Sequence, residues 1–318
     1  MVKSKQLSKF LKSVIIFCLL FVVMDRIIGT LLKTLYTSLK KGQFAQTTYS
    51  IDSTSNKDIL VFGSSRAIRH YSPSILSNSL NLKCYNVGRD GEFIPYYTAV
   101  QDVILRKNKP KVIILDANVW EFAPNNEKYE KLSILLPYVP QHPELKKYVK
   151  EISQWESLKL NSLTYLFNST LFISLHDFML PNSIAKDDNG YMPLERTLTK
   201  AEFEDWKARK LVYDQKRTKS KIQIDQKAVS YYRQFLDKAR NMGIKTFVII
   251  SPTVLQEPNT KEKLLIESIA KEYSNVTFLD YSNNQKFNNK YEKFADVFHL
   301  NKAGSSEFSR DLVNKINL

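Results

Sequence analysis

Cysteine is scarce: the 318 residues hold two, Cys18 and Cys84. Cys18 lies inside an apolar amino-terminal run and Cys84 at the start of an expected strand, so no bridge between them is expected. Neither a disulfide framework nor a zinc-ligand spacing can be assembled, and no metal or cofactor is expected. Histidine is limited to His70, His142, His176 and His299, which leaves few bases for chemistry near neutral pH. No G-x-S-x-G surrounds any serine, which argues against a sheet hydrolase built on a nucleophile elbow. A dense basic cluster is also missing. The formal net charge is +15, but roughly half of it comes from residues 1–41, where eight Lys or Arg face the single Asp25. The rest is spread along the chain, which argues against a nucleic-acid reader and leaves an anionic polymer or membrane surface.

What is present begins with a chain that is 43% hydrophobic, enough for one large domain or two small ones with a buried core. Lys3, Lys5, Lys9 and Lys12 precede "SVIIFCLLFVVM", Ser13 to Met24, which carries no charge. Apolar character resumes after Asp25 and Arg26 as "IIGTLL". These features predict a cytoplasmic tail over 1–9 and a transmembrane signal anchor over 10–32, with Asp25 and Arg26 near the outer interface. Residues 33–56 read as a juxtamembrane helix and linker. The lysine asymmetry predicts a single-pass protein of the cell membrane with a cytoplasmic amino terminus and an extracytoplasmic remainder. A cleaved signal peptide is disfavoured because no small-x-small site follows the apolar run.

From Lys57 short apolar runs alternate with amphipathic ones. Strands are expected at Asp58 to Phe62, Lys83 to Val87, Lys111 to Asn118, Lys245 to Pro252 and Val276 to Asp280. Helices are expected between them, at Pro95 to Arg106, Asp225 to Met242 and Thr260 to Tyr273, with a last one from about Ala303 to Ile316. Continuous apolar strands separated by helices indicate an α/β fold with a parallel sheet covered on both faces. Such sheets carry chemistry in the loops at the carboxyl ends of their strands, where Gly63, Gly88, Gly91 and Asn118 fall. The rhythm breaks over about 121–226, a mostly helical insertion, and just before it stands Trp120, the first of the three tryptophans; Trp155 and Trp206 lie within. It reads either as a subdomain packed on the sheet or as a lid or substrate platform.

A serine becomes a nucleophile when a neighbouring base takes its proton and a third group orients the base. His142 and His176 lie in the insertion, and His70 reads as a surface or capping residue close behind "GSSR". His299 differs, because "FADVFHLNKAG" sets Asp296 three residues ahead of it in a loop between the last strand and the last helix. That spacing lets a carboxylate bond one ring nitrogen and leave the other for a serine.

These residues resemble the SGNH, or GDSL-like, superfamily of hydrolases and acyltransferases. Gly63, Ser64 and Ser65 match the first block, Asn86, Gly88 and Gly91 the second, and Asp296 and His299 the last. The third block matches only through Asn118, since Asp116 replaces its glycine and Val119 its acid. The resemblance covers about Lys57 to Trp120 and Asp225 to the end. It implies a three-layer, flavodoxin-like parallel sheet over 57–318, Ser65, His299 and Asp296 as a catalytic triad, and an oxyanion hole from Ser65, Gly91 and Asn118. Arg66 and Arg89 are candidates for substrate binding or for holding Asp116, whose charge would oppose a developing oxyanion. The implied activity is that of an anchored esterase or O-acyltransferase on acyl esters of a cell-envelope glycan or other acylated polymer. A transferase would need a multispan membrane partner to export the acyl group. The alternative is a catalytically inactive, glycan-binding envelope protein on the same fold.

Overall fold

The structure, a computed structural model, describes residues 2–180, 188–219 and 223–316. Residues 181–187 and 220–222 of the expected insertion lie outside the described residues. The chain forms two compact units, one of residues 1–45 with 132–184 and one of 46–131 with 185–318. The stretch expected as one insertion, 121–226, is therefore divided between them, with 132–184 grouped with the amino-terminal helix.

In the larger unit five strands form one parallel sheet: β1 (Ile59–Phe62), β2 (Cys84–Asn86), β3 (Val112–Asp116), β4 (Lys245–Ile250) and β5 (Val276–Asp280). Their order is β2-β1-β3-β4-β5, that of flavodoxin-like doubly wound sheets. Leu60 pairs with Tyr85 on one side and Ile113 on the other, and Ile114 pairs with Phe247. β1 and β3 are buried along their whole length, which is why they read as unbroken apolar runs. Alternate residues serve opposite faces. Ile59, Val61, Ile114, Phe247 and Ile249 pack with Tyr71, Leu76, Phe308 and Leu312 in one core. On the other face Phe62 meets Phe235 edge to face, with ring centroids 5.2 Å apart.

Helices begin where the sequence supplies caps. Asp225 accepts from the N–H groups of Lys227 and Ala228, and Thr260 from that of Lys263. Asn301 does the same for Gly304 at the start of the last helix, Lys302–Val313. The chain leaves β1 for one side of the sheet and returns to β3 on the other, so the crevice between their carboxyl ends is the topological switch point.

In the smaller unit one helix, α1 (Val2–Ser38), dominates. From Lys5 to Ser38 it is long and apolar enough to cross a membrane. A second helix, α2 (Gly42–Asp52), follows within three residues and belongs from Gln46 onward to the larger unit, so the stretch expected as a polar linker is largely helical. Tyr36, Phe44, Tyr138 and Phe167 form a buried aromatic cluster beside the end of α1, and the Tyr36 and Tyr138 hydroxyls lie 2.7 Å apart.

Candidate active site

Gly63 ends β1 with φ +146°, a conformation that side-chain-bearing residues rarely adopt. A Cβ there would stand 2.8 Å from the Ala67 Cβ and 2.9 Å from the Asp116 Cβ. The absence of a side chain lets helix α3 (Ser65–His70) start directly off the strand and pack against β3. Ser65 is the first residue of that helix, so its N–H has no acceptor within the helix.

His299 Nε2 lies 2.8 Å from Ser65 Oγ. On its other edge Nδ1 is 2.9 Å from Asp296 Oδ2 and 3.0 Å from Oδ1. The carboxylate also accepts from the backbone N–H groups of Phe298 and His299, at 2.8 and 2.9 Å. An acceptor facing Nδ1 places the ring proton there and leaves Nε2 with a lone pair toward the serine hydroxyl. Burial raises the Asp296 pKa, but the His299 hydrogen bond and charge and the two N–H donors outweigh it and hold the carboxyl below its ordinary value.

These residues open on a cavity of about 680 Å³. Ser64, Ser65, Arg66, Asp116, Asn118 and Val119 line it from the strand ends, and Val297, Phe298 and His299 from the last loop. Helix Lys200–Lys219 contributes Trp206, Arg209, Lys210 and Tyr213, with Trp120 nearby, so part of the insertion forms a wall of the site. Glu257 lies across from them, 3.5 Å from Lys210, which also bonds Asp214 at 2.7 Å. Burial raises the Glu257 pKa above its ordinary value against the pull of Lys210.

Asp116 does not face the cavity unpaired. Its Oδ2 lies 3.3 Å from Arg66 Nε and its Oδ1 accepts from the Tyr71 hydroxyl at 2.8 Å. Arg66 also donates to the Ala117 carbonyl at 3.3 Å. Burial lowers the Arg66 pKa, but the Asp116 charge more than offsets it, so the guanidinium stays cationic. Asn118 Oδ1 is taken by the Trp120 N–H at 3.0 Å, which leaves its amide nitrogen as the end available to a ligand.

Two expected residues are not brought to this cavity. Gly91 is solvent-exposed, with its carbonyl 2.9 Å from Lys131 Nζ. Arg89 is buried, its guanidinium 2.5 Å from Thr47 on α2 and 3.8 Å from Glu92, while its backbone N–H bonds the Gly63 carbonyl at 3.0 Å.

His70, expected at the surface or as a cap, is fully buried instead. Its Nε2 accepts the Leu300 N–H at 3.0 Å, and its Nδ1 faces Ser251 Oγ at 3.0 Å. Burial, followed by the charges of Arg66, His299 and Arg69, pushes its pKa well below 6.5. Its ring stands edge to face with that of His299, centroids 6.2 Å apart. Nothing local in the sequence signals this role, since both partners are more than 180 residues away. His176, by contrast, is exposed beside Asp177.

No protein-family model matches the chain, and no curated protein does. Among solved structures it is similar to a protein from Streptococcus pneumonia provisionally named a platelet activating factor, with 13% identity over 96% of this chain and 99% of that one and a TM-score of 0.35.

Proposed function

We propose that the chain is an SGNH-type serine enzyme, a membrane-anchored esterase or O-acyltransferase acting on acyl esters of a cell-envelope polysaccharide or related polymer. The observation that carries this reading is the hydrogen-bonded series Asp296–His299–Ser65, with both bonds near 2.9 Å. His299 Nε2 takes the Ser65 proton as Oγ attacks the acyl carbonyl, and Asp296 stabilises the imidazolium that results. The tetrahedral oxyanion would meet the Ser65 N–H and the Asn118 side-chain amide, each such donor contributing about 3–4 kcal/mol to the transition state. Collapse breaks the ester bond, and the departing alkoxide takes the proton from His299. The acyl group then leaves Ser65 by attack of water or of a sugar hydroxyl.

The aromatic faces of Trp120, Trp206, Tyr213 and Phe298, with charged groups between them, suit an acylated sugar better than a bare alkyl chain. α1 supports anchoring, and the lysines ahead of its apolar run support an extracytoplasmic active site. A transferase of this kind would receive its acyl group from a multispan membrane partner. The test is covalent labelling of the full chain with a fluorophosphonate, followed by turnover of 4-nitrophenyl acetate. Labelling at Ser65 that Ser65→Ala and His299→Ala abolish supports the reading; no Ser65-dependent labelling or turnover would overturn it and favour the glycan-binding alternative.

A further inference from the structure

The helix Leu171–Met179 in the smaller unit is inside out for a protein surface in water. Its one buried side chain is Ser174, whose Oγ has no hydrogen-bond partner among the described residues. Phe172 is 82% exposed and Met179 67%, and Ile173, Leu175 and Phe178 are exposed with them. A soluble helix turns its apolar stripe inward. One that keeps small polar residues at its protein contacts and large apolar ones outside fits a lipid environment.

What lies beside it supports the same solvent. The helix packs against α1, whose large apolar side chains are exposed along the uncharged run from Val14 to Met24 and again at Ile27, Ile28 and Leu31. The uncharged run of α1, Ser13 to Met24, extends only about 18 Å, short of a bilayer core of about 30 Å. A span must therefore continue past Asp25 and Arg26, and the exposed Ile27 and Leu31 continue it. An acid at that depth needs partners. Asp25 has them from this same unit: the Ser162 hydroxyl at 2.5 Å and the N–H groups of Leu163 and Thr164 at 2.9 and 3.1 Å. Arg26 donates to the Asn161 carbonyl at 2.8 Å. Gly29 admits the same segment, because a Cβ there would stand 2.3 Å from the Leu163 Cβ. The turn leading into that clamp exposes Trp155 and Leu158.

We infer that residues 155–180 form a membrane-embedded element, in which the apolar face of helix Leu171–Met179, with Trp155 and Leu158, is covered by lipid acyl chains beside α1. The inference rests on α1 crossing a bilayer and is independent of the chemistry at Ser65. The partner is the bilayer itself, since the patch is continuous with a helix surface that already requires lipid.

The full chain is reconstituted in phosphatidylcholine vesicles containing a minority of phosphatidylglycerol. Spin labels are placed at the exposed Cys18 and, in a Cys18→Ala background, at Phe172→Cys and Phe178→Cys. Accessibility to oxygen and to a water-soluble nickel chelate reads the depth of each. Labels at 172 and 178 that favour oxygen over the chelate, as at Cys18, support the inference. Labels at 172 and 178 open to the chelate while Cys18 is shielded would overturn it and leave the span intact. A Cys18 label open to the chelate would overturn both. Labels at 172 and 178 shielded from oxygen and chelate alike would point to a second copy of the chain over the patch and overturn it too. The unsubstituted protein gives a separate reading: brominated lipids should quench part of its tryptophan fluorescence, and Trp155→Phe should remove that part.

Discussion

Replacing Arg66 by leucine tests how the proposed active site tolerates the buried carboxylate of Asp116. The Asp116 side chain is 2% exposed and Arg66 is its only cationic partner among the described residues. Removing one member of a buried pair typically costs about 3–5 kcal/mol, because the other charge stays buried. The Tyr71 hydroxyl remains bonded to Asp116, which puts the expected loss for Arg66→Leu near the lower end, at about 3 kcal/mol. Asp116→Asn keeps an acceptor for Tyr71 and leaves Arg66 bonded to Ala117 at the cavity edge, so it should lose only about 1–2 kcal/mol. In the double variant neither charge is stranded, and its loss should fall about 2 kcal/mol short of the sum of the two singles. Urea unfolding of the full chain in detergent, followed by tryptophan fluorescence, measures all three. The same perturbation should reach the chemistry. A unit charge 4–8 Å from a developing oxyanion at an effective dielectric near 20 opposes it by about 2–4 kcal/mol. Arg66→Leu should therefore slow turnover by about 30-fold or more, with Asp116→Asn restoring most of it in the double variant. Additivity of the singles within about 0.5 kcal/mol, or a turnover rate untouched by Arg66→Leu, would refute the idea that Arg66 neutralises Asp116.

Asp296→Asn should lower kcat/KM by about 10³–10⁴-fold while preserving the fold, because an amide donor facing Nδ1 enforces the wrong tautomer of His299; steady-state ester hydrolysis with a circular-dichroism control reads both. Gly63→Ala should destabilise by about 2–4 kcal/mol in a denaturant titration, since the new Cβ collides with Ala67 and Asp116 at a positive φ. His70→Gln should flatten one component of the acid sensitivity of stability. The folded protein keeps His70 neutral, so below about pH 6.5 the unfolded chain binds the proton first and the wild type loses stability, by up to about 1.4 kcal/mol per pH unit. Glu92 and Glu121, raised by burial to about 7, act in the opposite direction but are common to both proteins and cancel in the difference. A wild-type minus variant difference that stays level from pH 7 to 5 would show that His70 is not held neutral.

The central strands are legible because both faces of β1 and β3 are buried, so apolar runs such as "ILVF" and "VIILD" need no tertiary information. The helix starts at Asp225 and Thr260 were equally local, since each cap bonds within three residues of itself. Asp296 and His299 share one turn, so their pairing too could be read from spacing. What failed was information held in tertiary contacts. Gly91 and Arg89 follow a motif spacing, but their partners, Lys131 for one and Thr47 for the other, stand about 40 residues away along the chain, which no spacing encodes. The division of the insertion was hidden for a related reason: residues 161–164 belong with α1 through backbone donors to Asp25, and backbone groups leave no mark on residue type.

The stretch from Ser65 to His70 concentrates the support of the site in less than two helical turns. Ser65 meets His299 after β5, Arg66 meets Asp116 at the end of β3, and His70 meets both Ser251 after β4 and the backbone of Leu300. The helix is thus tied to the rim of the sheet at three separate strands, and its first residue is held by those bonds as well as by Gly63. His70 bonds the residue directly after His299, so α3 positions the nucleophile and, through Leu300, the loop that carries the base. A rotation of α3 that broke the Ser65–His299 bond would also strain the part-buried Arg66–Asp116 pair at β3 and the buried His70–Ser251 bond after β4. Asp116, which as an isolated charge would oppose an oxyanion, instead serves as the β3 anchor of that helix. That arrangement gives Asp116 a structural use and makes Arg66 the residue on which the two readings of Asp116 turn.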